Sequence, residues 1–98
     1  MDRAEQVSEI IASETDKYYR QVWKRAKPIV QREFDRLHKK HPSFEKILFG
    51  NGTFLVSFED DREMKWSDDP PKDFKLLWDM CNELINFAQE DIVPTDKE

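Results

Sequence analysis

The sequence predicts an α+β domain in which a long N-terminal helix and a C-terminal helix flank a three-stranded antiparallel meander, an αβββα order. Three observations predict it. Residues 2–40 hold no glycine and repeat apolar side chains at helical spacing, Phe44–Phe58 sets β-forming residues around Gly50-Asn51-Gly52, and Ser67-Asp68-Asp69-Pro70-Pro71 opens a second amphipathic run.

The first helix should run from about Asp2 to Lys40. At roughly 100° per residue, Val7, Ile11, Val22, Trp23, Ala26, Ile29, Val30, Phe34 and Leu37 share one broad face, and Lys17, Arg20, Lys24 and Lys27 gather opposite. Pro28 falls inside this run, where proline removes a hydrogen bond and crowds the preceding turn at a cost of about 3 kcal/mol. The phase of the apolar stripe continues past Pro28, and Ala26-Lys27 offers no capping side chain, so a kinked helix is expected. A straight helix of about 38 residues would be nearly 60 Å long, against a diameter of roughly 35 Å for a chain of this size. The half carrying Val7, Ile10, Ile11, Tyr18 and Val22 must therefore fold back at Pro28 or pair with a second copy as a homodimer.

Pro42 ends the helix, because a residue before proline is driven out of helical geometry. The hairpin then turns at Gly50-Asn51-Gly52, residues that reach positive φ at least cost. A two-residue loop would place Ile47, Phe49, Phe54, Val56 and Phe58 on one face, and Lys46, Leu48, Leu55 and Ser57 on the other. A three-residue loop with a bulge at Gly52 would instead move Leu48 beside Phe54, Val56 and Phe58. Glu59-Asp60-Asp61-Arg62 reads as the next turn and Glu63–Trp66 as the third strand. The last helix is expected over Pro71–Asp91, with Phe74, Leu77, Trp78, Cys81, Leu84, Ile85 and Ala88 as its core stripe and Leu76, Met80 and Phe87 as surplus apolar surface beside it. Residues 1–93 form one α+β domain on this reading, followed by a disordered acidic tail over 94–98.

Composition narrows the function classes. No apolar run approaches the roughly 20 residues that span a bilayer, and Met1-Asp2-Arg3-Ala4-Glu5 is not a basic-then-apolar signal, so no membrane partner and a cytoplasmic location are expected. The single cysteine, Cys81, fits a reducing compartment. The net charge of −5 conceals an asymmetry: residues 1–49 carry 11 Lys+Arg against 8 Asp+Glu, and residues 50–98 carry 5 against 13. The protein is an electrostatic dipole along its sequence.

Motifs for catalysis are missing. His38 and His41 lie three apart, but no further ligand completes a zinc set, and helix-end histidines commonly meet terminal carbonyls. Cys81 sits in a core stripe with no base specified beside it. The pairs Asp60-Asp61 and Asp68-Asp69 lack the spacing and glycine of a calcium loop, and Gly50-Asn51-Gly52 precedes no helix that would make it a phosphate cradle. The chain is read as non-enzymatic, with no metal or cofactor.

Binding to another protein is the expected function. Its acidic surface would comprise Glu59, Asp60, Asp61, Asp68, Asp69, Asp79, Glu83 and Glu90, around apolar anchors Trp66, Met80 and Phe87. Size, acidity and helix–sheet–helix plan are shared with small phage and mobile-element inhibitors, such as anti-CRISPR proteins or nucleic-acid mimics, that block a basic host protein with carboxylates. The alternative is a nucleic-acid-binding accessory protein using Lys17, Arg20, Lys24, Lys27, Arg32, Arg36, Lys39 and Lys40. A solvated helix face accounts for those cations better than a nucleic-acid site does.

Overall fold

The computed structural model describes residues 2–13, 19–50 and 52–93. Helix α1 (Arg3–Ser13) and helix α2 (Tyr19–Lys40) precede strands β1 (Phe44–Gly50), β2 (Thr53–Phe58) and β3 (Glu63–Lys65); a 3-10 turn (Lys72–Phe74) then leads into helix α3 (Lys75–Leu84). The α+β class and the meander are as the sequence predicts.

The expected single N-terminal helix is two helices, Arg3–Ser13 and Tyr19–Lys40, and the second runs on through Pro28. Length explains this: the 22 residues of α2 span about 33 Å at roughly 1.5 Å each, which fits the longest molecular dimension of 39 Å. A continuous helix from Asp2 would not fit. Helix α1 packs against both α2 and α3, so Val7 and Ile10 enter the same core as Val22, Trp23, Leu77 and Leu84. Val7, Ile10 and Val22 are thus covered within their own chain, and Tyr18 lies outside the described residues. Asp2 and Glu5 start α1 as a reciprocal capping box: the Glu5 N–H donates to Asp2 Oδ1 at 2.9 Å and the Asp2 N–H to Glu5 Oε1 at 3.0 Å.

Helix α2 continues through Pro28, which lies on its exposed side, where water can take the carbonyl left without an N–H partner. Pro28→Ala is expected to raise stability by about 1–3 kcal/mol, since it restores that hydrogen bond and removes the ring. A higher midpoint in thermal denaturation checks it.

The hairpin closes with the two-residue loop: Gly50 pairs with Thr53, Phe49 with Phe54, Leu48 with Leu55 and Ile47 with Val56. Ile47, Phe49, Phe54, Val56 and Phe58 are all buried on one face and join the helical side chains in one core. The opposite face carries Leu48 against Leu55, each half-buried, with Lys46, Ser57, Glu63 and Lys65 around them. A register shift between Phe44 and Lys46 returns Phe44 to the core opposite Phe58. Gly52 holds φ at +74°, and a Cβ there would meet only Asn86 Oδ1 at 3.6 Å. Gly52→Ala is therefore expected to cost about 1–2 kcal/mol through backbone conformation alone, readable as a lower urea midpoint at an unchanged m-value.

The C-terminal helix is shorter than predicted, ending at Leu84 instead of Asp91. The Leu84 carbonyl accepts from the N–H groups of Phe87 and Ala88, each at 2.9 Å, and closes the helix end. The chain then crosses to the open edge of β1, where Ile92 and Ile47 exchange two backbone hydrogen bonds at 2.8 and 2.9 Å. An unpaired sheet edge next to a buried core is the stronger demand, and it draws Ile92 out of the helix and into the interior. The tail predicted over 94–98 lies outside the described residues. Among the described residues no helix is long and apolar enough to cross a membrane.

Candidate interaction surfaces

The predicted acidic residues divide among four places, Glu90 lying apart beside Lys27. Glu59, Asp60 and Asp61 lie in the β2–β3 turn, where the Asp60 carboxylate sits 2.8 Å from the Arg62 guanidinium and is held below its ordinary value chiefly by that hydrogen bond. Asp61 takes φ +67° there, and Glu59 donates its N–H to the Ser43 carbonyl. Asp68 caps the turn after β3, accepting the Lys65 N–H at 2.8 Å, with Asp69 exposed beside it. The Asp60 and Asp68 carboxylates serve turn geometry first.

Asp79 and Glu83 stand apart from them. They sit one turn from each other on α3 and face α1, whose Asp2, Glu5 and Glu9 repeat at helical spacing along the facing side. Together with Ala4 and Ser8 these five carboxylates line a groove of about 460 Å³ with no cationic side chain among the described residues of its lining. Lys75 reaches Asp79 from outside it, at 2.8 Å. Sequence reasoning does not single out Asp2, Glu5 and Glu9, because they lie at the opposite end of the chain from α3 and only the fold-back of α1 brings the two helices together.

The apolar anchors fare differently. Trp66 is 43% exposed and follows β3, its N–H bonded to the Phe54 carbonyl at 3.0 Å. Phe87 is half-buried against the core. Met80 is fully buried and cannot be a surface anchor, because α3 is packed by α1 as well as by α2.

The cations of α2 do not form one stripe. Arg20, Lys24 and Lys27 recur at i, i+4 and i+7 along one flank, whereas Arg32, Arg36, Lys39 and Lys40 fall roughly 60–180° away from them around the helix. Lys17 lies outside the described residues. Lys27 Nζ is 2.6 Å from Glu90 Oε1, and the Arg36 guanidinium is 2.6 Å from Glu33 Oε2. The Arg20 flank borders a groove of about 790 Å³ whose lining includes Trp23, Pro28, Phe87 and Glu90. Residues from two rival readings, Phe87 and Glu90 on one side and Arg20, Lys24 and Lys27 on the other, thus meet in one place.

Glu33 is a further group that sequence reasoning does not pick out. It is fully buried yet charged, its carboxylate clasped by Arg3 Nη1 at 2.9 Å and by Arg36 Nε and Nη2 at 3.0 and 2.6 Å. Hydrogen bonding to Glu33 raises the Arg36 guanidinium above its ordinary value, against the opposing effect of burial. The signal is present in the pattern, since Glu33 falls in the apolar arc with Val30 and Leu37. Through Arg3 it links α1 to α2.

His38 Nδ1 lies 2.6 Å from the Phe44 carbonyl, and His41 Nε2 lies 3.3 Å from Asp73 Oδ2. The two histidines are thereby engaged with different elements. Among the described residues no group of three or more His, Cys, Asp or Glu side chains is placed to hold a metal ion. Cys81 is fully buried, and burial pushes its thiol well above the ordinary range. It is expected to resist iodoacetamide in the native protein at pH 8 and to react once the chain is unfolded in urea, read by mass spectrometry. No protein-family model, curated protein or solved structure matches the chain.

Proposed function

We propose that the chain is a non-enzymatic interaction protein of the cytoplasm that docks on a basic partner through the carboxylates between α1 and α3. The observation that carries this reading is the groove lined by Asp2, Glu5, Glu9, Asp79 and Glu83, with no cationic side chain among the described residues of its lining. Like charges brought within one groove repel one another, and a cationic partner relieves that repulsion while the field speeds its approach. Capping accounts for Asp2 and Glu5, but not for Glu9 and Glu83. A protein of this kind acts as an inhibitor when the partner's basic surface is the one that holds nucleic acid, the role expected of a small phage or mobile-element product.

The nucleic-acid alternative is weakened by the separation of the α2 cations into two flanks and by the Lys27–Glu90 and Arg36–Glu33 pairs. Capture from a nuclease-treated lysate separates the readings. The wild-type chain is expected to retain basic proteins in a salt-sensitive manner, and a chain carrying Glu5→Lys, Glu9→Lys, Asp79→Lys and Glu83→Lys should lose them. Retention that depends on intact nucleic acid, or that survives the four reversals, contradicts the proposal.

A further inference from the structure

The groove between the first half of α2 and Phe87–Glu90 has a chemistry opposite to that of the α1–α3 groove. Its apolar lining comes from Trp23, Pro28 and Phe87, and its α2 side presents Arg20, Lys24 and Lys27 over two helical turns. The volume of about 790 Å³ lies within the range of roughly 300–1,000 Å³ typical of sites that enclose a ligand. We infer that this groove is a docking site for an acidic peptide segment bearing an apolar anchor residue.

Charge complementarity selects that occupant. A carboxylate-rich segment meets Arg20 and Lys24 along the rim, while an aromatic or aliphatic side chain packs on the exposed ring of Pro28. The groove already contains an example of the contact: Glu90 reaches across it to Lys27 at 2.6 Å. Both partners of that ion pair are solvent-accessible, at 37% and 57%, so an incoming carboxylate exchanges with Glu90 at little cost. Glu90 thus acts as an internal competitor. Single-stranded nucleic acid fits less well, because Trp23 is only 5% exposed and cannot offer its ring face for base stacking. The site does not depend on the α1–α3 face, and its variants leave that face untouched.

Panning a phage-displayed library of random dodecapeptides on the immobilised full chain tests the inference. Enriched sequences should be rich in Asp and Glu around a Phe, Trp or Leu. A labelled peptide made from the strongest of them should bind Lys24→Glu about tenfold more weakly and Glu90→Gln about threefold more tightly than the wild type, by fluorescence anisotropy. The opposite signs are the signature, since general damage to the fold would weaken both, and circular dichroism melts verify that both variants fold. Enrichment of basic sequences or of none, or affinity unchanged in both variants, would overturn the inference. So would tighter binding of a labelled oligothymidylate than of the peptide. Self-association in sedimentation that Lys24→Glu abolishes would also overturn it, making the groove a contact between copies.

Discussion

Phe44→Ala is expected to destabilise the protein by about 3–5 kcal/mol, the largest effect expected of a single truncation. Phe44 is fully buried and stacks on Phe34 of α2, with ring centroids 4.2 Å apart and planes 12° from parallel. Its ring also lies 5.7 Å from Phe58 of β2 and 5.2 Å from Phe74 of the 3-10 turn. One side chain thereby joins four elements: α2, β1, β2 and the entry to α3. Truncation leaves a cavity walled by rings that cannot collapse into it without breaking their contacts with one another. In a domain this small the loss should lower the thermal midpoint by some 15 °C or more. Urea denaturation followed by circular dichroism measures it, and a loss below about 1 kcal/mol would show that the cluster repacks.

Glu33→Ala is expected to cost about 2–3 kcal/mol. Breaking a buried ion pair commonly costs about 3–5 kcal/mol, because the surviving charge stays buried without a partner. Here the survivors are Arg3 and Arg36, whose side chains are 33% and 42% exposed and can turn toward water, so the lower figure applies. Glu33→Leu separates the two contributions. It removes the charge but keeps the volume beside Val30 and Leu37, and should recover much of the lost stability. If both variants are equally destabilised, the carboxylate's hydrogen bonds to Arg3 and Arg36 are what hold α1 on α2. Chemical denaturation of the two variants side by side decides it.

Elements set by local patterns are legible in the amino-acid sequence. The hairpin follows from Asn51-Gly52 between alternating apolar residues, and the start of α3 from the prolines after Asp69. Features decided by distant contacts are not. Continuous helical patterning across residues 2–40 does not reveal that α1 folds onto α3, and that packing buries Met80 and assembles Asp2, Glu5, Glu9, Asp79 and Glu83 into one groove. Ile92 directly follows a helical stripe in the sequence, and nothing local announces that the edge of β1 needs a partner. Glu33 is countable as one exception on an apolar face, yet its meaning depends on Arg3, thirty residues away in the chain.

The claim that the α1–α3 carboxylates are the partner-facing surface is tested most directly by nuclear magnetic resonance titration of the ¹⁵N-labelled chain with a lysine-rich peptide. The expected result is shift changes concentrated at Asp2–Glu9 and Asp79–Glu83 that diminish with salt, with little change at Asp60 and Asp68, whose carboxylates serve their own turns. Equal changes at every acidic segment, or changes centred on the β2–β3 turn, would contradict the account.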